Sequence, residues 1–481
     1  MNAEVFFATF NAWVATLGWP LAAIAVLLVA RQASTLDRDR RLHALAMGLY
    51  FFLIIAAFWM LKPVKKTLLL THYADGAIWG GIALAPAQIE LIAKEANMVV
   101  ALLAAIGFSL LARHLQRAAF AATVALAFLA LYAVFALVAN DAGTLTAWAF
   151  YLAGDLFVTA MVAAFFAFLN DSEHPHGARR LYGLIGLGGV LGGAIGSTVV
   201  ANHVSLLDTA SVSRVVCLTI ALIVLLIIGA GRLVARHPPP THSNESEAAA
   251  GGLHAAFTGA SLTLRSRFLQ MIAAIVVIYE MASALVDYQF TTTVLHYVAT
   301  ADLGHYFSNV FAFTNLAAVA VQLVLTPWVL RRYGVGTGLV LLPVMVGLCA
   351  AGFWVAPILM LGSLLNTADN AFAYSLNQSA KEILYVPLSR EKKYRAKAFI
   401  DIFLVRAAKA FAILAGLGIS LVFAGFENIR WLSVLVVVLV CLWLAAVRWL
   451  DREYRQLESH AAKASLPAEP VTQPEQRPSR A

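Results

Sequence analysis

The segment HPPPTHSNESEAAAGGLHAAFTG, residues 237–259, divides this chain into two parts of similar character. Its proline, serine and glycine content is typical of a linker. On both sides of it, long apolar runs alternate with short polar joints. The position of this linker therefore decides how the apolar runs are grouped, and with them the fold.

The composition indicates an integral membrane protein. The chain has 481 residues, of which 61% are hydrophobic and 12% charged, and its mean hydropathy is +0.80. Soluble domains carry about 25% charged residues, whereas a membrane-spanning helix needs about 20 apolar residues. The long uninterrupted runs exclude the alternation of a transmembrane β-barrel. The lipid bilayer is therefore the expected surrounding of the chain.

Thirteen apolar runs are predicted to span the membrane, one extra N-terminal helix ahead of a twelve-helix body. They are residues 5–30, then 44–70, 95–113, 118–139, 146–169, 181–202, 212–234, 268–296, 305–330, 335–357, 359–386, 398–424 and 429–450. The linker divides the body into six helices and six, the layout of the major facilitator superfamily, whose halves are parallel repeats. We therefore predict an all-α membrane protein with a major-facilitator-type bundle.

This grouping predicts five parts of the chain. They are an extra N-terminal helix with its basic joint (1–43), an N-terminal six-helix half (44–236), a cytoplasmic linker (237–262), a C-terminal six-helix half (263–450) and a disordered cytoplasmic tail (451–481).

The basic residues that give the net charge of +8 lie in the joints between the apolar runs. One set of alternate joints is rich in lysine and arginine, whereas the opposite set holds Lys94, Arg214 and Arg430, apart from the lysines of residues 58–73. By the positive-inside rule, the body begins and ends in the cytoplasm. No basic stripe with interleaved aromatic residues is seen, so no nucleic-acid partner is expected. No basic region precedes the first apolar run, which disfavours a cleaved signal peptide and favours a bacterial inner membrane.

Ionisable residues inside the predicted spans are the candidate site residues, because they are costly in lipid and mark substrate or ion pathways by default. The stretch FWMLKPVKKTLLLTHY, residues 58–73, places Lys62, Lys65 and Lys66 at i, i+3 and i+4. On a continuous helix these three lysines share one face. The alternative is that they reach the outer membrane interface.

Three acidic residues extend this set of candidates. Asp155 lies near the middle of its predicted span, and its alternative role is a carboxylate capped by neighbouring helices. Glu280 and Asp287 are seven residues apart and share a helical face with Ser283 and Thr291. A polar stripe two turns long favours a water-filled cavity or a substrate path over packing alone.

The last two body spans before the final one contribute the remaining candidates. Arg406 and Lys409 lie one turn apart, and they need carboxylates or a substrate anion as partners. Asp369 and Asn370 lie on a polar helix in the span before. The structural alternative for Lys409 is a salt bridge to Asp369 or Asp155.

Enzyme chemistry has little support. The glycine-rich run at 183–196 lacks the Lys-Ser/Thr pair of a phosphate loop, and Gly188, Gly192 and Gly196 at i, i+4 predict close helix packing. No nucleophile–histidine pair or set of metal ligands appears in a coherent setting. We therefore expect no enzymatic activity, no cofactor and no metal.

The stretch AYSLNQSAKEILYVPLSREKKYRAKAFID, residues 373–401, resembles a signature of the nucleotide (ATP/ADP) translocases of the Tlc family, found in plastids and intracellular bacteria. GDLFVTAMVAAFFAFLND (154–171) and LKPVKKTLLLT (61–71) resemble the fourth and first helices of that family. The resemblance implies a transporter that exchanges charged nucleotides by rocking two six-helix halves. It also implies functional roles for residues that match the family residue by residue, namely Lys65, Asp155, Asp287 and Lys409.

The sequence departs from the family pattern at four positions. Asp155 and Asp287 stand where the family has glutamate, Lys66 stands where an acid follows the family lysine, and Pro63 is added. These departures weaken the prediction that the substrate pair is ATP and ADP, and they leave the transporter class intact.

Our main hypothesis is a monomeric secondary transporter of an anionic, nucleotide-like solute, with ATP/ADP exchange as its activity and alternating access as its mechanism. Lys65 and Lys409 would neutralise the anion, while Asp155 and Asp287 would hold these lysines in the empty state or carry a coupling proton. The first alternative is a proton-coupled major-facilitator transporter of another small solute. The second is a membrane scaffold that transports nothing.

Overall fold

The computed structural model describes residues 38–464, except 139–142, 173–174, 204–207, 237–251, 386–387, 389–395, 398 and 423–424. The predicted extra span at 5–30 lies outside the described residues, as does most of the linker. Ten of the described helices are long and apolar enough to cross a membrane. Large apolar side chains such as Leu137 and Val422 point outward, 85% and 77% exposed, as lipid-facing residues do.

The first half contains six helices in the described part of the chain. They are α1 (Arg38–His72), α2 (Pro86–His114), α3 (Arg117–Val138), α4 (Thr144–Ser172), α5 (Pro175–His203) and α6 (Thr209–Arg236). Between α1 and α2, strands β1 (Ala77–Trp79) and β2 (Ile82–Leu84) form an antiparallel hairpin. Gly80 and Gly81 close it with φ of 57° and 82°, the positive values that a two-residue type I′ turn requires.

The second half is built from helices interrupted by π turns. A short helix α7 (Gly252–Arg265) precedes α8 (Arg267–Tyr297), α9 (Leu303–Ala320), α10 (Thr326–Arg332), α11 (Gly334–Val355), α12 (Leu359–Phe372), α13 (Gln378–Leu384), α14 (Val405–Val422) and α15 (Arg430–Ala464). The π turns are Val321–Leu325 between α9 and α10, Ala373–Asn377 between α12 and α13, and Phe399–Leu404 before α14. Such turns are often found at functional sites.

The helix pairings of the first half recur in the second. Helix α1 packs against α4, α5 and α6, and α8 packs against α12, α14 and α15, which are the corresponding helices of the second half. Each half also has its own buried apolar core. The two halves therefore share one pattern of helix packing, which is a feature of parallel repeats.

Helices α1 and α5 of the first half approach each other closely. A Cβ added at Gly188 would lie 2.6 Å from the carbonyl oxygen of Gly48, and one at Gly192 or Gly196 would lie closer still to a carbonyl oxygen of α1. Only glycine allows two helix backbones to approach this closely. The predicted packing role of these glycines is confirmed.

Three boundaries differ from the sequence prediction. Helix α2 begins at Pro86, well before the predicted 95, because proline suits the first helical position and the Gln88 side chain caps the preceding backbone N–H at 2.8 Å. Residues 252–265 of the linker region are helical. The prediction of a disordered tail from residue 451 is wrong for 451–464, since α15 continues to Ala464, helped by an Asp451–Arg455 pair at 2.9 Å.

Candidate functional site

Lys65 and Asp155 form an ion pair inside the first half, between α1 and α4. Lys65 is 5% exposed, and its Nζ lies 4.4 Å from the centre of the Tyr151 ring. The second oxygen of Asp155 accepts a hydrogen bond of 2.7 Å from Asn97 on α2. Glycine at 154 leaves room for the lysine, because a Cβ there would lie 2.8 Å from Lys65 Cδ. The pair is thus built into the packing of α1, α2 and α4.

Lys66 belongs to a second group that joins the two halves. Its Nζ lies 2.9 Å from Glu90 Oε1 on α2 and 3.6 Å from Asp287 Oδ1 on α8, and it donates a 2.5 Å hydrogen bond to Thr291 Oγ1. Lys94 pairs with Glu90 at 3.2 Å and also with Asp287. Two lysines and two acids give a neutral, hydrogen-bonded cluster, the form in which buried charges are tolerated.

The contacts of this cluster lie toward the hairpin end of the bundle. Asp287 is in the last third of α8, and Glu90 is near the start of α2. Close to it, Gln88 on α2 donates a 3.0 Å hydrogen bond to Ser420 on α14. The charged cluster and this bond therefore connect the halves at the side where the hairpin lies.

Lys62 differs from its two neighbours in having aromatic partners. Its Nζ lies 4.4 Å from the ring centre of Trp59 and 4.7 Å from that of Phe311, which is on α9 in the second half. In the described part of the chain, no carboxylate oxygen lies within 4.0 Å of this ammonium. Cation–π contacts stabilise a lysine by about 0.5–2 kcal/mol, but they leave its charge uncompensated.

The second half carries its own ion pair, between Lys409 on α14 and Glu280 on α8, at 3.1 Å. The Lys409 side chain is 43% exposed, whereas that of Glu280 is 10% exposed. The predicted alternative for Lys409, a salt bridge to Asp369 or Asp155, is wrong, because Glu280 on the adjacent helix is nearer. Arg406 lies one turn before Lys409 and is partly buried.

Asp369 and Asn370 occupy different environments although they are adjacent. Asp369 is 2% exposed and accepts a 2.6 Å hydrogen bond from the Ser283 hydroxyl. Asn370 donates a 2.8 Å hydrogen bond to the backbone oxygen of Asn366 in its own helix. The structure therefore brings Asp369 to the polar stripe of α8, while the amide of Asn370 is used locally.

The family model described as TLC ATP/ADP transporter matches residues 142–360 and 355–454. The chain belongs to this family. The match begins near α4, so the three lysines of α1 lie before it. The predicted family is confirmed by a region that contains Asp155, Asp287 and Lys409.

Curated relatives of this TLC-family chain carry matching names. It is 24% identical over 368 residues to "ADP,ATP carrier protein 1" of Chlamydia pneumoniae, a match that covers 69% of this chain and 70% of the relative. The protein of the same name from Chlamydia muridarum is 26% identical over 231 residues, and there the match spans 43% of the relative.

A solved structure supports the fold of this TLC-family chain. The POT family transporter PepTSo aligns with a TM-score of 0.60 at 12% identity, covering 85% of this chain and 98% of that one. At this identity the likeness concerns the fold alone. The prediction of an all-α, major-facilitator-type bundle is confirmed.

Sequence reasoning missed three candidate site residues of this TLC-family chain, Glu90, Lys94 and Asn97. The predicted second span began at 95, because the acid and the lysine lower the local hydropathy. The signal that identifies them is their spacing after Pro86, since Glu90 and Lys94 are i, i+4 and form a pair within one helix. A helix started at Pro86 would have placed both inside the membrane.

Proposed function

We propose that this member of the TLC family exchanges nucleotides of the ATP and ADP type across a bacterial inner membrane by alternating access. The observation that carries the proposal is Lys62, a cation at the interface of the two halves whose partners are the rings of Trp59 and Phe311. Such a charge needs an anion, and phosphate groups bind ammonium strongly. The names of the curated relatives favour a nucleotide as that anion.

Two further lysines would bind the substrate in turn. Lys409 is the accessible one, since 43% of its side chain is exposed while it rests on Glu280. Lys65 is held by Asp155 in the empty state. A phosphate that reaches either lysine competes with its carboxylate, so substrate entry would exchange one ion pair for another and loosen the contacts that hold the helices in this arrangement.

The charged cluster of Lys66, Glu90, Lys94 and Asp287 would close the hairpin side of the transporter in this conformation. The joints at the opposite side are the ones rich in lysine and arginine, and the positive-inside rule supports a cytoplasmic position for that side and for the C-terminus. Substrate would then enter from the cytoplasm in the state described. We propose that one chain, as a monomer, contains the whole pathway.

Uptake of labelled ATP into proteoliposomes, with and without ADP inside, tests the proposal. We expect uptake only with internal nucleotide. Lys62→Ala should raise KM by about tenfold to a hundredfold, as loss of a charged hydrogen bond predicts. Lys62→Arg, which keeps the charge, and Lys397→Ala, which removes a lysine paired to Glu382 outside this site, serve as controls.

Uptake that needs no internal nucleotide would overturn the exchange mechanism. Uptake of another solute driven by a proton gradient would favour the proton-coupled alternative. An equal effect of Lys62→Ala and Lys397→Ala would remove Lys62 from the substrate site.

A further inference from the structure

Asp369 is a buried carboxyl whose close partner is a hydroxyl. Its Oδ2 accepts from Ser283 Oγ at 2.6 Å, and the residue is 2% exposed. In the described part of the chain, no lysine or arginine nitrogen lies within 4.0 Å of it, whereas Asp155, Asp287 and Glu280 all have a lysine at that range. Asp369 therefore lacks the compensation that the other acids have.

The charged surroundings of Asp369 add up to a negative or neutral environment. Helix α8 presents Glu280, whose charge is balanced by Lys409, and the more distant Asp287, which is balanced by the cluster at the hairpin end. Tyr279 on α8 and Tyr374 in the π turn interact electrostatically with Asp369, and a tyrosine hydroxyl is ordinarily neutral at pH 7. The remaining basic groups of the packed helices lie at helix ends, Arg267 and His296 at the two ends of α8 and His305 at the start of α9.

An ionised acid inside a membrane-spanning bundle is costly unless an opposite charge pairs with it. A buried group in that position usually becomes neutral instead. One hydroxyl donor does not replace a counter-ion, because a buried charge is tolerated when it is paired with an opposite charge as well as hydrogen-bonded. Since Lys409 already serves Glu280, a proton is the remaining means of neutralising Asp369.

We propose that Asp369 is a proton-binding site of the empty transporter, and that its proton keeps Lys409 available to the substrate. A hydronium ion gives its proton to the carboxylate, which forms the O–H bond and releases a water molecule, and Ser283 holds that carboxyl in place. When the proton leaves, Asp369 becomes a second acid competing for Lys409, which then binds a substrate phosphate less well. Substrate binding and proton binding at Asp369 would strengthen one another, as linkage requires.

This inference rests on the proposed function only where it concerns substrate, so the first test needs no substrate. In infrared spectra of the purified protein between pH 5 and 9, a protonated carboxyl gives a C=O stretching band that a carboxylate does not. We expect a band in the wild type that is lost in Asp369→Asn. It should persist in Glu382→Gln, a control in which the acid removed is paired to Lys397 outside this site. Ser283→Ala should shift the band without removing it, and this variant replaces Asp369→Asn should the latter not fold.

The second test is ATP affinity as a function of pH. The affinity of the wild type for ATP should fall over the pH range in which the carboxyl band disappears. Asp369→Asn, whose side chain is always neutral, should keep the low-pH affinity at every pH. A band unaffected by both Asp369→Asn and Ser283→Ala, or no carboxyl band at any pH, would overturn the proton site. Absence of ATP binding at all pH values with the band still assigned to Asp369 would refute the nucleotide proposal alone.

Discussion

Helices α1 and α5 of the first half correspond to α8 and α14 of the second, yet the two pairs meet in different ways. At Gly188 an added Cβ would lie 2.6 Å from a backbone oxygen of α1, whereas at Gly416 on α14 it would lie 3.5 Å from a Leu285 side-chain carbon of α8, an ordinary contact. A π turn also precedes α14. The first pair is fixed by backbone contact, while the second is packed through side chains that can move. The second half is therefore the better candidate for local adjustment during transport.

The largest expected difference between the halves concerns their ion pairs. Asp155→Asn leaves Lys65 buried with a 6% exposed side chain, which should destabilise the protein by about 3–5 kcal/mol. The Lys409 side chain is already 43% exposed, so Glu280→Gln should destabilise the protein by about 1 kcal/mol or less. Melting temperatures of the two purified variants in detergent measure this difference. Equal losses would show that both lysines are equally dependent on their acids.

The glycine contacts give the next largest effect. Gly192→Ala forces α1 and α5 apart and should cost about 1–3 kcal/mol, as overpacking does. Gly416→Ala is the matched variant in the second half and should be tolerated. Both are checked by melting temperature. If Gly416→Ala were as damaging as Gly192→Ala, the contrast between backbone and side-chain packing would be wrong.

The link between the halves should respond to Asp287. Asp287→Asn removes the acid that Lys66 and Lys94 share across the interface, so residues 74–94 should open more often. We expect hydrogen exchange there to rise about tenfold, equivalent to about 1.4 kcal/mol. Glu280→Gln, which breaks a pair within one half, should leave that exchange unchanged. An equal rise in both variants would argue against a closing role for the cluster.

The smallest effect concerns the start of α6 in the first half. The Ser211 backbone N–H donates a 2.8 Å hydrogen bond to Asp208 Oδ1, and the hydrogen bonds from Ser211 hold the pKa of that carboxyl below its usual value. Asp208→Ala should cost about 1 kcal/mol at neutral pH. The pKa of Asp208 is lower in the folded protein than in the unfolded chain. Its stabilising effect is therefore fully present at pH values above the pKa of the unfolded chain, and it is lost as the pH falls through the pKa of the folded protein.

Melting temperatures at pH 7 and pH 3 test this expectation. The gap between wild type and Asp208→Ala should narrow at the lower pH. The difference in melting temperature between Asp208→Asn and Asp208→Ala should be the same at both pH values, because asparagine caps a helix without a titrating group. If the difference in melting temperature between the wild type and Asp208→Ala did not change with pH, the assigned role of Asp208 would be wrong.

The sequence predicted the twelve-helix body because apolar length is a strong signal that depends on the bilayer alone. The same signal led the prediction to leave Glu90 and Lys94 outside the span, because charged residues lower the local hydropathy. In the structure their charges are balanced by Lys66 on α1 and Asp287 on α8. The shared face of Glu280, Ser283, Asp287 and Thr291 follows from helical spacing, and the structure shows these residues in contact with Lys409, Asp369 and Lys66. The partner of Lys409 was not predictable, because the choice among nearby acids depends on how α8, α12 and α14 pack.

The π turns have a consequence for how the second half originated. A π turn holds one more residue than an α turn, so each is equivalent to a one-residue insertion that rotates everything after it by about 100°. In the Ala373–Asn377 turn, such an insertion changes which side chains of α13 follow the polar face of α12. Deleting one residue there should restore a regular helix and turn Lys381 away from its present direction. Single-codon insertions are therefore sufficient to make the internal repeats diverge while their helix count and order are preserved.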